Sequence, residues 1–146
     1  MMRVLYIEDS ASDADLARRR LAQTAPEIQL EVATTLAEGF QKLTRPDDYD
    51  VLLTDLCLPD GSGLEALAYV REQRLPVAVV ILTGSGDQDS AMAALKASAD
   101  DYLVKRDDYL ERLPRLLRSA FDHFRHRSDL NQTSLRVLYV EHNRFD

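Results

Sequence analysis

The chain has one cysteine in 146 residues, so Cys57 has no internal disulfide partner, and a thiolate metal site would lack its companions. It is expected to be a small buried apolar side chain. Histidine is also scarce, and the three present, His123, His126 and His142, all fall late in the chain. His123 and His126 share a helix face, but solvated side chains are the ordinary outcome there and a zinc site is not expected. No apolar run approaches the roughly 20 residues that cross a bilayer. The opening MMRVLYIED has one Arg followed by carboxylates where a secretion signal would carry an apolar stretch. A cytoplasmic chain that neither spans nor binds a membrane is expected. Positive charge is also short: 18 Lys and Arg stand against 25 Asp and Glu, and the net charge of -7 argues against direct binding of nucleic acid. The imbalance is uneven, because Lys105 to Arg127 holds seven basic residues and four acids, which reads as a solvated face.

The length allows one domain with a full core and not two. Short apolar runs at Val4 to Ile7, Val51 to Thr54, Val77 to Leu82 and Tyr102 to Val104, with a weaker one at Gln29 to Val32, read as strands. They are continuous in Val, Ile and Leu rather than alternating, as in strands of a parallel sheet covered on both faces. Between them lie stretches of helical period at Asp13 to Thr24, Leu36 to Leu43, Leu64 to Glu72, Asp87 to Ala97 and about Leu113 to Arg127. Such alternation predicts an α/β fold with a doubly wound sheet, whose ligand site lies at the carboxyl ends of the strands.

A repeat appears at the end of the chain. RVLYIEDSASD from Arg3 and RVLYVEHNRFD from Arg136 share Arg, Val, Leu, Tyr, Glu and Asp at matching positions. The expected organisation is therefore one domain over 1–127, a linker over 128–135, and the first strand of a second copy over 136–146. The parent protein is expected to continue. His142 stands in that copy where the first has its second acid, which weakens any metal site there.

Glu8 and Asp9 follow the first strand, Asp55 follows the third and Lys105 ends the fifth, so the topology brings them to one sheet edge. An acidic pair after a strand is usually a turn or a helix cap when it stands alone. Convergence changes that reading, since two carboxylates about 5 Å apart repel by about 3 kcal/mol at an effective dielectric near 20. Mg²⁺ suits such a set, because it takes oxygen ligands, keeps waters and joins one or two carboxylates to a phosphate oxygen.

YIEDS with Glu8 and Asp9, LLTDLCLPDGSGLE around Asp55, VVILTGSGD around Thr83, and DDYLVK ending at Lys105 together resemble the motifs of response-regulator receiver domains. The four stand in the family's order and at its separations, from about Arg3 to the last helix. The resemblance implies a flavodoxin-like (βα)5 fold with strand order 2-1-3-4-5, and a phosphoryl-accepting module of two-component signalling that is not an enzyme in the ordinary sense. It implies Asp55 as the phosphorylated residue, with Mg²⁺ bound by Asp9, Asp55 and the carbonyl of Cys57, and by Glu8 largely through water. Thr83 and Lys105 would contact the phosphoryl oxygens, and Tyr102 would be the switch aromatic that follows Thr83. The implied partners are a histidine kinase or a histidine phosphotransfer protein, and a second copy docked through the fourth helix, fifth strand and fifth helix.

Those roles make chemical sense. A carboxylate is a weak nucleophile, so transfer depends on positioning and on neutralising the phosphoryl oxygens, which Mg²⁺ and Lys105 can do. Gly84 leaves room for the entering group. The chain departs from the family pattern at Arg106, where many members have Pro, and at Ser98, where a Gly usually ends the fourth helix.

Other readings fit less well. GSGLEA at Gly61 to Ala66 matches a loose dinucleotide fingerprint, but its glycines follow Leu-Pro-Asp, and Asp55 and Asp60 would repel a pyrophosphate. A haloacid-dehalogenase-like phosphatase would want a second Asp where Cys57 stands. A pseudo-receiver that only binds partners remains the alternative, and the full set of Glu8, Asp9, Asp55, Thr83 and Lys105 speaks against it. The basic last helix leading into a second receiver-like start suggests a hybrid kinase, a cyclic-dinucleotide enzyme or another multi-domain regulator as the parent.

Overall fold

The computed structural model describes the backbone of residues 1–84, 93, 98–106 and 108–145, and the side chains of those up to 127 apart from Pro46. Five strands, β1 (Met2–Ile7), β2 (Ile28–Ala33), β3 (Val51–Asp55), β4 (Ala78–Thr83) and β5 (Asp101–Val104), pair in parallel in the order β2-β1-β3-β4-β5. This is the expected doubly wound, flavodoxin-like arrangement. Helices α1 (Ala11–Thr24), α2 (Leu36–Lys42) and α3 (Gly63–Glu72) connect the first strands, and a C-terminal helix spans Tyr109–Phe145. The helix expected from Asp87 to Ala97 lies outside the described residues, save Ala93.

Side-chain alternation assigns the two faces. Leu5, Ile7, Leu52, Val79 and Ile81 pack with Leu36, Ala66, Leu67 and Val70 of α2 and α3. Val4, Tyr6, Leu53, Val80 and Leu82 pack on the other face with Ala17 and Leu21 of α1 and with Leu113 and Leu117 of the C-terminal helix. Each fully buried Leu, Ile or Val contributes about 1.5–3 kcal/mol, so both layers are needed to hold the sheet. Each of the first three helices starts on a hydroxyl that accepts a backbone N–H: Ser10 from Asp13 (3.3 Å), Thr35 from Glu38 (3.1 Å) and Ser62 from Leu64 (3.1 Å).

Three local features differ from the sequence reading or extend it. Cys57 is exposed, not buried, because it lies beyond the main sheet in a two-residue strand, Cys57–Leu58, paired antiparallel with Gly61–Ser62. Residues 136–145, expected as a strand, are helical. A strand needs a neighbour for its backbone groups, whereas a helix satisfies them within the segment, and among the described residues no strand pairs with this segment, so the local solution prevails. Ser98 has φ 78°, so the turn before β5 does carry a left-handed residue with a side chain. Arg71 braces that turn, donating from Nη2 (2.8 Å) and Nε (3.2 Å) to the Ser98 carbonyl. Among the described residues no helix is long and apolar enough to cross a membrane.

Candidate functional site

The register Ile7↔Thr54, Asp55↔Leu82 and Thr83↔Val104 aligns the carboxyl ends of β1, β3, β4 and β5. Glu8, Asp55, Thr83 and Lys105 meet there as the topology required. One carboxylate oxygen from each of Glu8, Asp9 and Asp55 lies within 4.8 Å of the others. The Lys105 N–H also donates to the Thr83 carbonyl (2.8 Å), which fixes where the lysine leaves its strand.

The three acids are not equivalent. Glu8 is 1% exposed, Asp55 partly buried and Asp9 exposed. Burial raises the Glu8 carboxyl to about 8, the adjacent Asp55 adds to the rise, and Lys105 opposes it. Lys105 Nζ lies 2.9 Å from Glu8 Oε1 and 3.5 Å from Asp55 Oδ2. Burial works against its charge, yet hydrogen bonding to Glu8 and attraction to Asp55 hold its pKa above the ordinary value.

Two polar atoms at this edge are left over. Glu8 Oε2 and Thr83 Oγ1 are buried and have no hydrogen-bond partner among the described residues. A buried carboxylate oxygen facing two other acids, with one ammonium among them, is the environment an oxygen-seeking divalent cation relieves, and the donor set fits Mg²⁺ rather than zinc. Asp55 itself is firmly oriented. Its Oδ1 accepts the Leu56 N–H at 3.0 Å, and its backbone carbonyl faces Gly63, where an added Cβ would lie 2.4 Å from that oxygen. At Gly84, by contrast, an added Cβ would meet none of the described residues within 4 Å. Tyr102 pairs with Ile81 in register and packs, partly buried, against the α2 and α3 layer. Alternation along β4 puts Thr83 on the same sheet face.

One participant was missed. Asp13 Oδ2 lies 3.2 Å from Lys105 Nζ, although the sequence reading treated Asp13 only as the start of a helix. The available signal was its place in the first turn of the helix that leaves the Glu8-Asp9 corner. Asp60 is turned elsewhere: its carboxylate takes the N–H groups of Leu36 (2.9 Å) and Ala37 (3.0 Å), which lower its pKa. His123 has a partner too, standing 3.3 Å from Asp100.

Comparison with known proteins agrees with this fold. Residues 4–115 match the family described as response regulator receiver domain. The cell cycle transcriptional regulator CtrA of Caulobacter vibrioides is 32% identical over 125 residues, covering 84% of this chain and 53% of that protein. The chain thus spans about half the length of this curated relative. The receiver domain of a LuxO repressor protein from Vibrio parahaemolyticus superposes with a TM-score of 0.76 at 26% identity, covering 88% of this chain and 96% of that one. Response regulator TrrA of Thermotoga maritima, solved in complex with Mg²⁺ and BeF, has a TM-score of 0.66 at 26% identity, covering 80% of this chain and 100% of that one.

Proposed function

The chain belongs to the family of response regulator receiver domains, which act in two-component signalling, and from that premise we propose that it accepts a phosphoryl group on Asp55 from a histidine kinase or a histidine phosphotransfer protein. The observation that carries the reading is the Lys105 ammonium, 3.5 Å from Asp55 Oδ2, in one site with the buried Thr83 hydroxyl, which has no hydrogen-bond partner among the described residues. Both can donate to phosphoryl oxygens.

An Asp55 oxygen forms the new O–P bond as the P–N bond to the donor imidazole breaks, and the imidazole leaves with the electron pair. The Leu56 N–H holds the carboxylate in place during attack, and Lys105 balances charge on the transferring oxygens. Mg²⁺, held by Asp9, Asp55 and the Cys57 carbonyl with Glu8 through water, would supply further neutralisation. After transfer a phosphoryl oxygen gives Thr83 Oγ1 the partner it lacks, and Tyr102, on the same face, turns inward as Thr83 moves. The surface altered is that of the fourth helix, fifth strand and fifth helix, which serves an output partner or a second copy. The repeat beginning at Arg136 supports a multi-domain regulator or hybrid kinase as the parent.

Incubation with acetyl phosphate or phosphoramidate and Mg²⁺ should add one phosphoryl group by intact mass, and Asp55→Asn should take none. No labelling of the wild-type chain would favour the pseudo-receiver, and unchanged labelling of Asp55→Asn would move the acceptor elsewhere.

A further inference from the structure

Asp13 is the third residue of α1, and its N–H donates to Ser10 Oγ (3.3 Å) in the S-x-x-D arrangement of a helix start. In that arrangement the acidic side chain ordinarily turns back to the free N–H groups of the first turn, where the helix dipole also favours it. The Asp13 carboxylate instead accepts from Lys105, 92 residues away.

Lys105 consequently sits among three carboxylates of unequal hold. It donates hydrogen bonds to Glu8 (2.9 Å) and Asp13 (3.2 Å), while Asp55 at 3.5 Å is an ion-pair neighbour only. Glu8 is 1% exposed, so losing the Lys105 contact would leave a buried oxygen without its partner. Asp13 is 38% exposed and can return to water. It is therefore the partner that Lys105 can release.

Resting on the reading of Asp55 as the phosphoacceptor, we propose that Asp13 is a positioning residue that draws the Lys105 ammonium off Asp55 in the unphosphorylated chain and gives it up when a phosphoryl group arrives. It restrains phosphorylation in two ways. The contact engages one of the three Lys105 N–H donors and holds the ammonium back from the phosphoryl oxygens, and the Asp13 charge repels the incoming anion. A partly exposed ion pair is worth about 1 kcal/mol, or about fivefold in a rate.

The test uses the full chain with Asp13→Asn and Asp13→Glu. The first readout is the ¹⁵N NMR signal of the Lys105 ammonium without Mg²⁺ or phosphodonor, assigned through Lys105→Arg. The second is the rate of labelling by acetyl phosphate at saturating Mg²⁺. Asp13→Asn should shift the ammonium signal, speed exchange of its protons with water and raise the labelling rate about fivefold. Asp13→Glu should return both towards wild type. An unchanged signal and rate, with or without a lower melting temperature, would reduce Asp13 to a helix cap and overturn the proposal, as would slower labelling of Asp13→Asn. A wild-type chain that takes no label would end the reading of Asp55, while the ammonium signal would still decide whether Asp13 positions Lys105.

Discussion

Glu8 and Lys105 are joined by a 2.9 Å hydrogen bond that passes over the ends of β3 and β4, linking β1 to β5 across the carboxyl edge of the sheet. The carboxylate is buried and the ammonium nearly so. Lys105 therefore stabilises the acids before it can assist any transfer.

The pH dependence of stability should expose that arrangement. Glu8 has a folded pKa of about 8 against an ordinary value of 4.5, so between these values the folded chain holds a proton that the unfolded chain releases. The favourable contribution is complete below 4.5 and is lost as pH rises towards 8. Denaturant unfolding in EDTA across this range should show the wild type losing stability relative to Glu8→Gln, with Mg²⁺ restoring most at the alkaline end. Parallel curves for the two proteins would assign the effect to another group.

Gly63→Ala should damage both fold and site. The new Cβ would stand 2.4 Å from the Asp55 carbonyl oxygen and 3.2 Å from Thr54 Cγ2, and the first of these neighbours is backbone. A loss of about 1–3 kcal/mol in urea unfolding is expected, with slower labelling of Asp55 in the fraction that folds. Wild-type behaviour in both would mean that α3 moves aside freely.

At the opposite edge of the sheet, the Asp100 carboxylate is fully buried and accepts from the Val79 N–H (2.8 Å) and Arg71 Nη2 (2.8 Å), with Arg127 at 3.4 Å. Asp100→Ala leaves Arg71 and the Val79 N–H without that partner and should lower stability by about 3 kcal/mol. Acetyl phosphate labelling of the folded protein at low temperature should be unaffected, because the change lies far from Asp55. Reduced labelling there would show that the two edges are coupled.

Truncation separates the domain from its tail. Deletion after Ser128 keeps the Arg127 contact with Asp100 and should leave melting temperature and labelling nearly unchanged, as expected if 136–146 opens a second unit. Deletion after Asp122 also removes Phe124, against which Arg71 stacks at 5.7 Å, together with Arg127, and should lower the melting temperature. A large loss on the shorter deletion would make the tail part of this fold.

The sheet was legible because β1, β3 and β4 are continuous apolar runs and the first three helices begin on hydroxyl caps, both of which are local signals. The meeting of Glu8, Asp55, Thr83 and Lys105 was legible because topology alone places strand ends together. Depth was not. Glu8 and Asp9 are neighbours in sequence, yet one is buried and the other exposed, since the first still follows the strand and the second has left it. Asp13 escaped notice because Ser10 and Asp13 already make sense as a helix start. Cys57 was misjudged because the hairpin after Asp55 lifts it out of the layers, and the tail is helical because its strand-like sequence has no partner strand among the described residues.

The C-terminal helix starts shortly after Lys105 and, further along, sets Phe124 against Arg71 and Arg127 beside Asp100. From Tyr109 to Arg127 it climbs about 27 Å at the usual rise per residue, from the pole where chemistry would occur to the pole where it would not. If Asp55 takes the phosphoryl group as proposed, a unit joined beyond Arg127 would be carried from the opposite pole, and the signal would have to travel along this helix, which the Arg127–Asp100 ion pair (3.4 Å) pins near that end.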